Sequence, residues 1–275
     1  MPELPEVETV RRSLARHVIG REIMAVRVFL PRLVKWPEPD LFAARLTGRT
    51  IREIDRTGKY LRLRLDDTTE FIVHLKMTGE LMFADNGVPE DMGFVRAEVR
   101  FADGAALFFG DARTLGALYA LRPEELPRLA SMMAMGPEPL TEAFSTAYLG
   151  DIARGRRAKI KSFLLNQKYV GGLGNIYADE ALFRAGLHPE RLASSLSPAE
   201  VKRLHAAVNE VIREGIEDGG TTIRNYRDGE GHVGLHQDKL RVYQRTGAPC
   251  LACGTPIQRV LIGGRGTHYC PKCQK

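Results

Sequence analysis

The chain has 275 residues, 44% hydrophobic and 27% charged, with a formal net charge of +6. A length above about 250 residues predicts more than one core and so at least two domains. No window approaches the roughly 18 unbroken apolar residues of a membrane span, since even residues 26–34 are broken by Arg27, Pro31 and Arg32, so a soluble protein with no membrane partner is expected.

The opening Met1-Pro2-Glu3-Leu4-Pro5 lacks the apolar run of a signal peptide, which points to the cytoplasm. A helix is predicted directly after it. Pro5 suits a first turn, Glu6 and Glu8 come early, Arg11, Arg12, Arg16 and His17 come late, and Gly20 follows the end. The rest of the first half reads as β structure. Tyr60–Leu65 alternates with period two, and residues 70–75, 97–101 and 105–109 are short apolar runs bounded by turn signals, a spacing that suggests a sandwich or barrel.

The character changes at Met135-Gly-Pro-Glu-Pro-Leu140, read as a linker into helices. The clearest helix has Ser197 as N-cap, Pro198 at N1 and Glu200 at N3, a capping box, and runs to about residue 215. Earlier, Gly171-Gly172-Leu173-Gly174-Asn175 lies where a helix begins. Its backbone N–H groups would suit a phosphate, although a plain interhelical turn has the same composition. It is not a dinucleotide fingerprint, because Tyr177 stands where a third glycine would and no strand precedes it.

All four cysteines close the chain as Cys250-x2-Cys253-x16-Cys270-x2-Cys273. Two such knuckles joined by a hairpin form a zinc ribbon, which predicts one structural Zn²⁺ and leaves no cysteine for a disulfide or a nucleophile. Thiolate ligands also require a reducing compartment. The expected segments are 1–134, 135–238 and 239–275. The last holds seven Lys or Arg and no acidic residue, leaving thirty-three basic against thirty-four acidic groups in the rest. A second cluster comprises Arg154, Arg156, Arg157, Lys159, Lys161 and Lys168. A charge run is ordinarily a solvated face; beside a basic ribbon it points to nucleic acid.

Five motifs then coincide in order: Met1-Pro2-Glu3-Leu4-Pro5-Glu6-Val7-Glu8-Thr9, Gly58-Lys59-Tyr60-Leu61, His74-Leu75-Lys76-Met77-Thr78-Gly79, Gly172-Leu173-Gly174-Asn175-Ile176-Tyr177-Ala178-Asp179-Glu180, and Gly264-Arg265-Gly266-Thr267 in the ribbon. Together they resemble the formamidopyrimidine-DNA glycosylase family over essentially the whole chain. The resemblance implies an α+β fold: an N-terminal catalytic β-sandwich with an N-terminal helix, a helical helix-two-turn-helix domain with a lesion loop, and a C-terminal zinc ribbon. It implies double-stranded DNA containing a damaged base as partner, bound in the cleft between domains by a monomer. The implied activity is a bifunctional glycosylase and AP lyase acting on oxidised purines such as 8-oxoguanine and formamidopyrimidines.

The chemistry follows from the residues as well. Removal of Met1 would expose the secondary amine of Pro2, and an α-amino group titrates near 8, against about 10.4 for lysine. Attack by that amine on the sugar C1′ expels the base and leaves an iminium ion, which acidifies C2′ and drives β,δ-elimination. By resemblance Pro2 is the nucleophile, Glu3 the general acid or base, Lys59 the lysine of base handling and β-elimination, and Arg265 the arginine of δ-elimination. On composition alone these would read as the start of a capped helix, a surface lysine and a phosphate-binding arginine. Asn175, Tyr177, Arg157 and Lys161 resemble the group that grips DNA phosphates. Met77 matches the residue that fills the hole left by the base, Arg113 the arginine facing the orphaned cytosine, and Leu115 the wedge. Thr221, Thr222, Tyr226 and His236 fall in the lesion loop.

Three departures concern lesion reading. Leu115 stands where the family has phenylalanine, the family's Lys-His stretch has no counterpart around Met92-Gly93-Phe94-Val95-Arg96, and His236 replaces another phenylalanine. Two alternatives remain: an endonuclease VIII-like glycosylase for oxidised pyrimidines, whose branch begins Pro-Glu-Gly-Pro and is opposed by Leu4, and a catalytically silent zinc-ribbon DNA-binding protein, which would need neither Pro2, Glu3 nor Lys59.

Overall fold

The computed structural model describes residues 2–275; Met1, whose removal would expose the Pro2 amine, lies outside the described residues. The chain divides into two compact units. The first runs to Met133 and takes back Asp218–Leu235, and the second comprises Ala134–Glu217 and His236–Lys275.

The first unit opens with helix α1 (Leu4–Val18). Glu3 and Glu6 cap its start reciprocally, and Arg16 and His17 occupy its last turn, where positive charge suits the exposed carbonyls. Val7, Val10, Leu14 and Val18 recur at helical spacing and are fully buried. Strand β1 (Ile23–Val28), strand β2 (Val34–Trp36), helix α2 (Pro39–Leu46) and strands β3 (Ile51–Thr57), β4 (Tyr60–Leu65), β5 (Glu70–His74), β6 (Gly79–Ala84), β7 (Val95–Phe101), β8 (Ala106–Asp111) and β9 (Ala117–Leu121) follow, and then the short helix α3 (Ala130–Met133). They form a four-stranded sheet ordered β1-β7-β8-β6 and a five-stranded sheet ordered β2-β9-β5-β4-β3, in which only β2 and β9 run parallel. One core joins α1 to both sheets through Val7, Leu14, Leu63, Phe71, Phe101 and Leu107. This is the β-sandwich with an N-terminal helix that the sequence predicts.

The second unit contains helices α4 (Thr146–Ala153), α5 (Ile160–Leu165), α6 (Asn175–Ala185) and α7 (Pro198–Glu217), and a hairpin of β10 (Gln258–Ile262) and β11 (Arg265–Tyr269). The α7 cap forms as expected: Ser197 N–H donates to Glu200 Oε2 at 2.8 Å. Helices α6 and α7 pack so closely that a Cβ on Gly215 would lie 2.5 Å from the Tyr177 ring. The division departs from the three sequence segments in two places. Residues Asp218–Leu235 cluster with the sandwich, because their glycine-rich backbone lies against α1, and the ribbon clusters with the helices, because α6 carboxylates hold its stem.

Candidate functional site

In the first unit, Pro2 is buried immediately before α1, and Glu3 is buried as the N-cap of that helix. Glu6 bridges two segments that the sequence keeps far apart. Its Oε2 accepts the Glu3 N–H at 2.6 Å, and its Oε1 accepts the Thr221 N–H at 2.8 Å. A Cβ on Gly220, at φ +86, would sit 3.0 Å from Glu6 Cγ, so glycine is what lets this loop reach the helix. Tyr226 donates from its hydroxyl to the carbonyls of Glu6 and Gly219, both at 3.2 Å. Burial, then the Glu6 carboxylate, raise its phenol well above the usual range, so it remains a donor. The Thr222 hydroxyl donates to Tyr226 O and accepts from Gly234 N.

Lys59 is buried in the two-residue turn between β3 and β4, whose flanking pair is Thr57 with Tyr60; Gly58 there has φ +57. Nearby, burial holds His74 at about 3, with the Lys76 and Lys59 ammonium groups lowering it further. A neutral imidazole can accept, and its Nδ1 takes the Lys76 N–H at 2.9 Å. That bond secures the turn between Leu75 and Gly79, which is tight enough that a Cβ on Gly79 would meet Leu75 O at 2.4 Å.

Met77 projects from this turn, 42% exposed, and Leu115 projects from a second turn, 44% exposed. Buried Asp111 ties the two turns together: Oδ1 accepts from Thr78 Oγ1 at 2.6 Å and from Arg113 N at 3.1 Å, and Oδ2 accepts from Gly116 N at 2.7 Å. Lys76 and Thr114, each one residue before an exposed apolar side chain, both have φ +54, a left-handed conformation rare for residues other than glycine. Met77 and Arg113 are brought together, with Arg113 Nη1 3.2 Å from Met77 Sδ.

A cavity of about 260 Å³ opens beside the loop, lined in part by Thr78, Glu80, Phe94, Thr222, Tyr226 and Arg227. Burial raises Glu80 to about 7, Arg227 opposing and Asp111 reinforcing the shift, so the carboxyl divides between donor and acceptor forms near neutrality.

In the second unit, Asn175 opens α6 after Gly174, and its Nδ2 donates to Gly266 O at 3.0 Å, beside the hairpin tip. Arg265 is exposed at that tip, after a Gly263-Gly264 turn whose residues have φ +56 and +73. Arg157 is exposed in the stretch before α5.

Three residues sit differently from the sequence expectation. Lys161, expected on phosphates, is 0% exposed; its ammonium pairs with Asp179 and donates to Asn175 O at 3.3 Å. Tyr177, expected on DNA, is fully buried against α7. His236, expected in the lesion loop, is buried in the second unit and stacks on Tyr177 with ring centroids 5.4 Å apart. In each case the partner is supplied by tertiary packing: an acidic residue on the next helix, a glycine on α7, and an aromatic ring.

Residues the sequence reading passed over do much of the positioning. Asp179 Oδ2 accepts from the backbone and Nδ1 of His268, at 3.0 and 3.1 Å. Glu180 accepts from the N–H groups of Arg241, Val242 and Tyr243 at 2.8 to 2.9 Å. Two adjacent carboxylates in the middle of a largely apolar helix are the available signal. For Glu80 it is a lone charge in the apolar strand β6.

The four cysteine Sγ atoms lie within 4.8 Å of one another, Cys250 and Cys273 at 3.9 Å and Cys253 and Cys270 at 3.5 Å. A tetrahedron with zinc–sulfur bonds of about 2.3 Å has sulfur–sulfur edges of about 3.8 Å, so the set fits one structural Zn²⁺. Burial, with the neighbouring thiols, pushes Cys273 up to about 12, so four thiolates persist here only beside a cation. No helix among the described residues is long and apolar enough to cross a membrane.

A sandwich, a helical unit and a thiolate hairpin define a zinc-ribbon protein of the helix-two-turn-helix class. Family models agree with that class along the chain: the formamidopyrimidine-DNA glycosylase N-terminal domain matches residues 1–118, the H2TH domain of the same enzymes residues 135–227, and the zinc finger found in FPG and IleRS residues 247–275. The chain is 46% identical to the formamidopyrimidine-DNA glycosylase of Desulforamulus reducens, covering 100% of this chain and 99% of the relative, and 44% identical to that of Geobacillus kaustophilus, covering 100% of both. Among solved structures it resembles the Lactococcus lactis Fpg in complex with abasic-site DNA, with TM-score 0.92, 37% identity and 99% of each chain covered. It also resembles the Thermus thermophilus MutM (Fpg) protein, with TM-score 0.89, 40% identity and coverage of 99% and 98%. The chain belongs to the formamidopyrimidine-DNA glycosylase family.

Proposed function

We propose that this protein is a base-excision repair enzyme that removes oxidised purines from double-stranded DNA and then cleaves the strand at the abasic site. The observation that carries the reading is the Glu6 bridge, which joins the residue next to Pro2 to the loop lining the cavity. A nucleophile and a base-sized recess are thereby tied to one carboxylate.

In this reading the amine of Pro2, freed by removal of Met1, attacks C1′ as the bond from C1′ to the base breaks. The amine proton passes to the departing base, and the bond from C1′ to the ring oxygen then opens, with a proton going to that oxygen, so that the nitrogen becomes an iminium. Glu3 handles protons at the sugar, and Lys59 assists base loss and abstraction of the C2′ proton, after which the bond from C3′ to oxygen breaks. Arg265 assists release of the 5′ oxygen. Asn175 and Arg157 hold phosphates. Met77, Arg113 and Leu115 fill the gap in the duplex and face the unpaired cytosine. Thr222, Tyr226 and Glu80 read the extruded base, while Thr221, through its bond to Glu6, fixes the loop. Lys161, through its ion pair with Asp179, and Tyr177 and His236, through packing, support the helical unit from within and do not touch DNA.

Functionally the chain comprises three modules, a catalytic sandwich over 1–134, a helical DNA-binding segment with the lesion loop over 135–238 and a zinc ribbon over 239–275. It acts as a monomer, in the cytoplasm, where thiolates stay reduced. The test is incision of duplexes carrying a formamidopyrimidine, 8-oxoguanine or an oxidised pyrimidine. A one-nucleoside gap with phosphate on both ends, formed fastest on the purine lesions, supports the reading. Preference for the pyrimidine would transfer it to the endonuclease VIII-like alternative, and no incision would leave a DNA-binding protein.

A further inference from the structure

We propose that Ser13 and Glu230 latch the base-reading loop to the back of the nucleophile helix, as positioning residues for base excision. The inference rests on the reading of Asp218–Leu235 as the lesion loop. Residues 222–227, all but Ile223 of which line the cavity, are a strap pinned at both ends to α1. One pin is Glu6 with Thr221 and Tyr226. The other lies about two to three helical turns further along. There Gly229 N–H donates to Ser13 Oγ at 2.8 Å, Phe83 N–H donates to Gly229 O at 2.8 Å, and the Glu230 carboxylate pairs with Arg16 and, at 2.6 Å, with His17.

The second pin is built for contact. A Cβ on Gly229 would lie 2.5 Å from Leu14, so only glycine lets the loop backbone touch the helix there. Asp228 Oδ1 accepts from both Glu230 N and His232 N at 2.9 Å, which folds the loop tip and aims Glu230 at α1. His17 in turn stacks on Phe83 of β6, with centroids 4.7 Å apart and planes 15° apart, and β6 supplies Glu80 to the cavity wall. Burial of Glu230 works against its charge, and His17 and Arg16 nevertheless hold its carboxyl below the usual range. None of these groups lies on the cavity itself.

A latch on the strap governs how the base is held, whereas an abasic site has no base to hold. Ser13→Ala/Glu230→Gln, in the full-length zinc-loaded protein, is therefore expected to slow single-turnover excision of 8-oxoguanine about tenfold while leaving incision of preformed abasic DNA within about twofold. Amide exchange across residues 222–227 should quicken, and Glu230→Asp alone should retain most of the excision rate. Equal loss of both activities, or no loss of either, would overturn the latch. A double variant that fails to fold is replaced by Glu230→Gln, judged by the same ratio. Inactivity of the parent on both substrates would instead overturn the enzymatic reading.

Discussion

Glu80 is a carboxyl whose environment decides its chemistry. Its ordinary value is 4.5 and burial lifts it to about 7, so the folded state holds this proton more tightly than the unfolded chain. Its contribution to stability is therefore fully present below about pH 4.5 and is lost as pH rises through about 7. Glu80→Gln should melt at a temperature close to the parent's at low pH and increasingly above it as pH climbs to 7, with the gap constant beyond. Melting curves at several pH values check this, and a gap independent of pH would contradict it. Leu115 is the other residue on which the proposed lesion reading turns. Stacking of a base on an aromatic ring contributes about 1–3 kcal/mol, which leucine cannot supply. Leu115→Phe is thus expected to speed excision of 8-oxoguanine paired with cytosine by about tenfold, with little gain on lesions already loose in the stack. An equal gain on both substrates would refute the explanation.

At the scale of elements, the buried pair of Lys161 and Asp179 shows how α5, α6 and β11 are joined. Asp179 holds Lys161 on one oxygen and His268 on the other, so the ribbon hairpin and the start of α6 share an anchor. Removing one member of a buried ion pair leaves the other charge stranded, at a cost of about 3–5 kcal/mol. Lys161→Ala should lose that much in chemical denaturation. Arg157→Ala, altering an exposed side chain, should leave stability unchanged and lower the salt slope of DNA binding by about 1. The reverse pattern would return Lys161 to the phosphate surface.

The same elements show what the sequence could disclose. Tyr60–Leu65 alternates because one face meets the core, and α7 announces itself through Ser197 and Glu200, so periodicity and capping suffice there. Strand β3 is largely polar along its length and lies at a sheet edge, and β2 has three residues, so neither carries a period long enough to read. Lys161 and Tyr177 carry side chains that ordinarily mark a surface. Their burial depends on Asp179 and Gly215, which no local pattern links to them.

Across the whole molecule, charge and metal act together. The ribbon segment carries all the excess positive charge, its four thiols cluster, and Asp179 holds its hairpin while Glu180 holds the stem before it. Cys270→Ser should therefore lose zinc and DNA affinity together, the first by elemental analysis and the second by titration. Full affinity without metal would separate the two. In the proposed reaction Pro2 is the nucleophile. This is tested by borohydride reduction during reaction with lesion-bearing DNA, followed by peptide mass analysis of the trapped adduct. A covalent link to the nitrogen of Pro2 is expected, and none in protein that retains Met1. An adduct on Lys59, or undiminished trapping with Met1 in place, would contradict it.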